Sequence, residues 1–161
     1  MYKILRRLIF SRLVLLRIGS FKTSPVVNGY TRLNRNTHLG FNTNFNGLIV
    51  YGGGKVKIGD NFHCGQGCKL ITQSHNYDGD SVPYDSTYKT FNIVIENNVW
   101  LGMGVTVIGN VTIGEGAIVQ VGSVVVSDIP KFAIAGGHPA KVFSMRDSAK
   151  YADLVSKKKY N

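Results

Sequence analysis

Ile95-Glu-Asn-Asn-Val-Trp-Leu101-Gly-Met-Gly-Val-Thr-Val107-Ile-Gly-Asn-Val-Thr-Ile113-Gly-Glu-Gly-Ala-Ile-Val119-Gln-Val-Gly-Ser-Val-Val125 repeats with a period of six. An apolar residue opens each hexad, and its fifth position is small, β-branched or apolar, as in Val99, Val105, Val111, Ala117 and Ser123. An amphipathic helix would repeat at about 3.6 and a coiled coil at about 3.5. Period six instead fits a few residues of strand followed by a turn, over and over. Three such sides close a triangular coil, and the openers stack inward from one coil to the next.

The same period runs backwards through the chain, shifted by one residue at each break. Ile58, Cys64 and Leu70 open hexads, as do Val27, Leu33, Leu39 and Phe45 before the disturbed stretch Tyr51-Gly-Gly-Gly-Lys-Val-Lys57. A glycine often follows the opener, as at Gly40, Gly59, Gly65, Gly102 and Gly114. It is expected to supply the backbone freedom of the turn. The class is therefore an all-β solenoid. Its repeat builds only the core, so the chemistry must lie at corners and insertions.

The one long insertion follows Thr72-Gln-Ser-His75. Leu70 to Ser74 are expected to complete a hexad, with His75 the last residue on the rigid coil. A polar loop over 76–92 follows, containing Tyr77, Asp78, Asp80, Tyr84 and Tyr88. A structureless stretch of this length in a compact domain is usually functional.

The flanks are different in kind. Residues 1–24 are expected to hold a basic amphipathic helix and a connector. On a helical wheel Lys3, Arg6, Arg7 and Arg17 share a polar arc, with Leu5, Leu8, Ile9, Leu13, Leu15 and Leu16 opposite and Arg12 a misfit. That stripe suits packing on its own domain or a neighbouring subunit, or contact with an anionic membrane face. The longest unbroken apolar run there is Leu13-Val-Leu-Leu16, too short for a span. With no signal-peptide pattern either, a cytoplasmic protein is expected, with peripheral attachment to the inner membrane face as an extension. Residues 25–143 form the solenoid domain, and 144–161 a short helix, expected over Ser144 to Ser156, with a basic tail.

Among 161 residues, 19 Lys and Arg oppose 9 Asp and Glu, a net charge of +10 that favours anionic partners. Nucleic acid is disfavoured, because no basic stretch is interleaved with aromatics. Cys64 and Cys68 are too few for a disulfide framework and read as buried thiols. His38, His63 and His75 each end a hexad but do not stack in one column, so no metal site is expected.

Taken together, Ile58-Gly-Asp-Asn61, Asn97-Asn-Val-Trp-Leu-Gly102, Val111-Thr-Ile-Gly114, Val121-Gly-Ser-Val124 and Ala135-Gly-Gly-His-Pro-Ala-Lys-Val142 resemble the hexapeptide-repeat acyltransferases. The branch is that of galactoside and maltose acetyltransferases and their polysaccharide-modifying relatives. The resemblance covers about residues 25–143. It implies a left-handed parallel β-helix, a handedness that spacing alone does not give. It also implies a homotrimer, acetyl-CoA as acyl donor without a metal, and a sugar or glycan hydroxyl as acceptor. Carried over by motif, His75 is the general base and Asn44 helps position the reaction. Trp100, Gly102, Gly137 and Lys141 fall beside the donor, and Tyr77, Asp78 and Asp80 beside the acceptor. Three departures stand out. His138 precedes the last proline, Val126 replaces a small hydroxyl residue, and Asn-Tyr-Asp follows His75.

A histidine is suited to the task, since its unperturbed pKa of about 6.5 leaves it able to accept a proton near neutrality. Asp78 or Asp80 could orient the imidazole. Asn44 and His75 lie five hexads and one residue apart, which puts them on different faces of one stack. They would then meet only across a subunit boundary. The competing expectations are an acetyltransferase for an amine or xenobiotic, and a non-catalytic β-helix scaffold subunit.

Overall fold

The fold comes from a computed structural model that describes residues 2–160, with side chains from Ile4 onward. The side chain of Lys3 and all of Asn161 lie outside the described residues.

Six coils follow one another. The first holds β1 (Ser20–Phe21) and β2 (Val26–Val27) and closes through a bridge between Arg32 and Ile49. The second holds β3 (Thr37–Leu39), β4 (Asn44–Phe45) and β5 (Leu48–Tyr51), and the third β6 (Val56–Ile58), β7 (His63–Cys64) and β8 (Cys68–Ile71). Here a hairpin of β9 (Gln73–His75) and β10 (Tyr88–Thr90) leaves the stack. The fourth coil has β11 (Ile93–Ile95), β12 (Trp100–Leu101) and β13 (Thr106–Ile108); the fifth has β14 (Val111–Ile113), β15 (Ile118–Val119) and β16 (Val124–Val125). The last bridges Ile129 to Ile113 and continues as β17 (Ala133–Gly137).

These strands stack into three faces. The first face is β1-β3-β6-β11-β14, the second β2-β4-β7-β12-β15-β17, and the third β5-β8-β13-β16. Pairing between successive coils is parallel throughout. The chain then turns back on itself: β18 (Ala140–Met145) runs antiparallel to β17, and α2 (Ser148–Ser156) follows. This return strand was not anticipated, and the expected helix starts four residues late because Ser144 and Met145 belong to β18.

All thirteen hexad openers are inside, none more than 4% exposed. The fifth positions follow them, except Ile49 and Ser74, which are only half-buried. The second coil explains Ile49. Its corner after Phe45 turns at Gly47, one residue earlier than the turn after Cys64, which uses Gly67. Loss of one residue flips the alternation, so Leu48 and Val50 point inward instead.

The glycine after each opener has a different job from the one expected. Positive φ falls at the opener plus three, at Asn42, Asn61, Asn98 and Gly116 on one corner, with Phe132 in the matching place after Ile129, and at Gly67, Gly104 and Gly122 on the next corner. Asparagine tolerates this left-handed turn better than other side chains. Asn42 donates to Asn61 (3.1 Å) and Asn61 to Asn98 (2.8 Å), forming a ladder up that corner. The glycines after the openers have ordinary φ and supply room. A Cβ on Gly102 would lie 2.6 Å from the Val121 amide nitrogen of the next coil. One on Gly114 would lie 2.6 Å from that of Lys131.

Helix α1 (Tyr2–Leu15) covers the open first coil with Phe10 and Val14, joined by Ile18 just beyond the helix end, and Ser11 accepts from the Val27 amide. The wheel's main apolar stripe is not the packed face. Leu5, Leu8, Ile9, Leu13 and Leu16 are 49–77% exposed, as is Ile4. Among the described residues no helix is long and apolar enough to cross a membrane.

Candidate active site

The insertion is better ordered than a loop. It leaves the solenoid at Thr72, which is fully buried and caps the glycine corner one coil down: its hydroxyl accepts from Gly54 N and donates to Tyr51 O. Gln73, Ser74 and His75 then pair with Thr90, Lys89 and Tyr88. His75 is therefore on the first arm of a hairpin, not on the coil itself, and Ser74 does not complete the hexad of Leu70. The reason is local: the Phe91 amide donates to the Thr72 carbonyl (2.8 Å), so the returning chain takes the place of the next coil.

His75 is held by aromatic rings. Tyr84 stacks on it with centroids 3.9 Å apart and planes 16° apart, and Tyr88 lies at 4.9 Å. Among the described residues no hydrogen bond reaches its ring nitrogens, which leaves them open to a substrate. Asp78 is engaged elsewhere. It pairs with Lys89, whose ammonium also sits 4.0 Å over the Tyr77 ring. The hydrogen bond to Asp78 holds Lys89 above the usual lysine range. Neither Asp78 nor Asp80 is hydrogen-bonded to the imidazole. Beyond it, Asn76 donates to the Thr87 hydroxyl, and Asp85 accepts from both Thr87 N–H and O–H. Those bonds hold the Asp85 carboxyl below its ordinary value. Tyr84 and Tyr88 carried no role in the sequence; their only signal was that, with Tyr77, they put three tyrosines in a mostly polar insertion.

The other expected site residues gather on the second face. Asn44, His63 and Trp100 occupy one column across β4, β7 and β12. They line a cavity of about 380 Å³ roofed by α2 and the tail. Tyr151 anchors that roof: it accepts from Asn98 (2.6 Å), donates to Glu115 (3.1 Å) and packs on Phe132. Burial, with the Glu115 charge adding and the Asn98 bond opposing, pushes its hydroxyl up to about 12. Gly102 directly follows β12, Gly137 ends β17, and Lys141 lies on β18 opposite Gly136. Trp100 is half-exposed and Lys141 exposed. His75, in contrast, projects from the corner between the third and first faces. One chain thus brings Asn44 and Trp100 together and leaves His75 apart.

Residues 92–127 match the bacterial transferase hexapeptide family, in six repeats. Galactoside O-acetyltransferase of Escherichia coli is 35% identical over 115 residues, 70% of this chain and 56% of that protein. A maltose O-acetyltransferase structure from Clostridium difficile superposes with a TM-score of 0.74 at 26% identity, covering 91% of this chain and 89% of that one. A galactoside acetyltransferase solved with coenzyme A gives 0.60 at 25% identity, covering 84% and 63%. The chain is similar to the hexapeptide-repeat acyltransferases in sequence and in fold. Its fold is their left-handed β-helix. The chain spans about half the length of the curated relatives it matches.

The remaining histidines have structural surroundings. His38 Nδ1 lies 2.8 Å from the Ser20 hydroxyl, and His63 Nε2 lies 3.2 Å from Asn46 Nδ2. Asn46 also accepts from Asn28 and donates to the Cys64 carbonyl, tying three coils together. His138 is exposed in the turn between β17 and β18. Among the described residues no group of three metal-ligating side chains converges. Cys64 and Cys68 are buried and unpaired.

Proposed function

We propose that the protein is an acetyl-CoA-dependent O-acetyltransferase acting on a sugar hydroxyl, with a capsular or other surface glycan as the acceptor. The observation that carries this is His75, a ring-stacked imidazole with open nitrogens on a hairpin that interrupts a fully packed solenoid. The named activities of the similar proteins, and the coenzyme A bound by one of them, support the same chemistry.

The acceptor O–H attacks the thioester carbonyl while His75 takes its proton. The new C–O bond forms, the C–S bond breaks, and the proton passes to the departing CoA thiolate. A free hydroxyl is a poor nucleophile, so the positioned base is the main contribution of this corner. The tetrahedral oxyanion needs a hydrogen-bond donor; Asn44 Nδ2, which donates to Asn42 O and Oδ1 at 3.2 Å, is assigned that task by exchanging one of these bonds for the oxyanion. Trp100 offers an exposed ring, Gly102 and Gly137 leave room beside the donor by lacking a side chain, and Lys141 offers a cation for the CoA phosphates. Tyr77, Asp78 and Asp80 face the acceptor. The enzyme is a homotrimer, because His75 and the second-face residues stand on different sides of one chain.

The assay is release of free CoA from acetyl-CoA with a panel of sugars. Acceptor-dependent release is expected; no release with any sugar or oligosaccharide would end this reading. A peripheral location follows from the exposed apolar row of α1 and its arginines, which suit an anionic membrane face. Flotation with phosphatidylserine liposomes is expected for the wild type and is expected to be lost in L8E/L13E. Equal flotation of the two, or none for either, rejects the membrane contact.

A further inference from the structure

The net positive charge is confined to one end of the molecule. Residues 1–59 contain ten Lys and Arg and no Asp or Glu; the rest of the chain balances nine against nine. At that end Arg17, Arg32 and Arg35 line a second cavity of about 610 Å³, with Asn34, Tyr51 and Gly52 in its wall. The wall is fixed. Asn34 donates to the carbonyls of Gly52 (2.9 Å) and Gly54 (3.1 Å), and Arg32 lies over the Tyr51 ring at 5.4 Å. Every ion pair among the described residues uses a lysine, so none of the three guanidinium groups is neutralised by a carboxylate.

The position of this cavity links it to the reaction. It sits at the corner between the third and first faces, on the first two coils. The His75 hairpin leaves the same corner one coil higher. Contact between them is direct: Tyr51 pairs with Ile71, its carbonyl accepts from the Thr72 amide (2.8 Å), and Gly53 N donates to the Gln73 side chain (3.3 Å). Gln73 is two residues from His75. Neighbouring coils are about 4.8 Å apart and Arg32 lies two coils below the hairpin, so a group seated among the arginines lies on the order of 10 Å from the hairpin's base, within the reach of a short oligosaccharide.

We propose that the Arg17–Arg32–Arg35 cavity seats an oxyanion of the acceptor, so that the acceptor is an anionic sugar carrying a carboxylate or a phosphate. This rests on the function proposed above and narrows its substrate class. Guanidinium groups suit both oxyanions, because their planar donor forks match either geometry. The nearby positive field also raises the local concentration of an anionic acceptor.

Calorimetric titration with glucuronate, glucose 1-phosphate and glucose tests the cavity without requiring turnover. Wild type is expected to bind at least one anion roughly tenfold or more tighter than glucose. The R32A/R35A variant is expected to lose roughly 10–100-fold for that anion and nothing for glucose. The two anions separate a carboxylate site from a phosphate site. Equal binding of all three sugars, or equal loss for all three, overturns the proposal. Acetyl transfer measured on the same samples separates the two levels. Transfer to neutral sugars at rates unchanged in R32A/R35A overturns the anionic acceptor and leaves the acetyltransferase standing. Arginine-dependent anion binding with no transfer to any sugar supports the cavity and removes the acetyltransferase instead.

Discussion

Replacing His75 by alanine is expected to lower kcat for acetyl transfer by about 10²–10⁴-fold, the usual contribution of a positioned general base. KM for acetyl-CoA should stay near its wild-type value, because Trp100, Gly102, Gly137 and Lys141 stand on another face. The fold should survive. His75 is exposed on β9, outside the stack of openers, and its deletion leaves no cavity in the core. The rings of Tyr84 and Tyr88 hold the imidazole by contact alone, so no buried polar partner is stranded by the change. Steady-state kinetics with matched circular dichroism spectra make the measurement. A His75→Ala enzyme running at the wild-type rate would remove the base from the mechanism.

Burial of every opener shows why the period-six pattern alone disclosed the coil: each inward position had to be apolar to stack. The hexads were legible because this constraint repeats without regard to function. Where a residue serves something other than the stack, the pattern misled. Ser74 has the small side chain that a fifth position asks for, yet it pairs with Lys89 in the hairpin. Nothing in a single small residue distinguishes a coil that continues from one that departs. The decisive event is a backbone bond from Phe91 to Thr72, nineteen residues apart. The glycine after each opener misled in another way. Turn freedom and close approach both ask for glycine, and only the φ values tell that Gly102 and Gly114 serve the second. Likewise the wheel of α1 showed its larger apolar stripe. The first coil took the narrower row of Phe10 and Val14, with Ile18 after the helix, because a coil end accepts only a strip about one helix wide. The candidate site was legible as residue types. Its division between two faces was partly legible from hexad counting, whereas the tyrosine stack was not, since it depends on where the hairpin folds back.

That division gives the second large effect. A chain with His75→Ala keeps Asn44 and Trp100; a chain with Asn44→Ala and Trp100→Ala keeps His75. Each variant alone is expected to be nearly inactive. When the two are denatured, mixed in equal amounts and refolded together, activity should return to roughly a quarter of wild type. In a closed ring each interface takes one side from each of two neighbours. A random neighbour pair is intact when the chain giving His75 is the double variant and the chain giving Asn44 and Trp100 is the His75→Ala variant. One arrangement in about four meets that condition. If one chain held its whole site, every site in the mixture would carry a lesion and the sample would stay as inactive as its parents. Refolding each variant separately before mixing supplies the control, since intact homotrimers then have no mixed interfaces. Recovery of activity in the co-refolded sample alone places the base and the donor-side residues on different subunits; inactivity in a sample that sediments as mixed trimers places them on one.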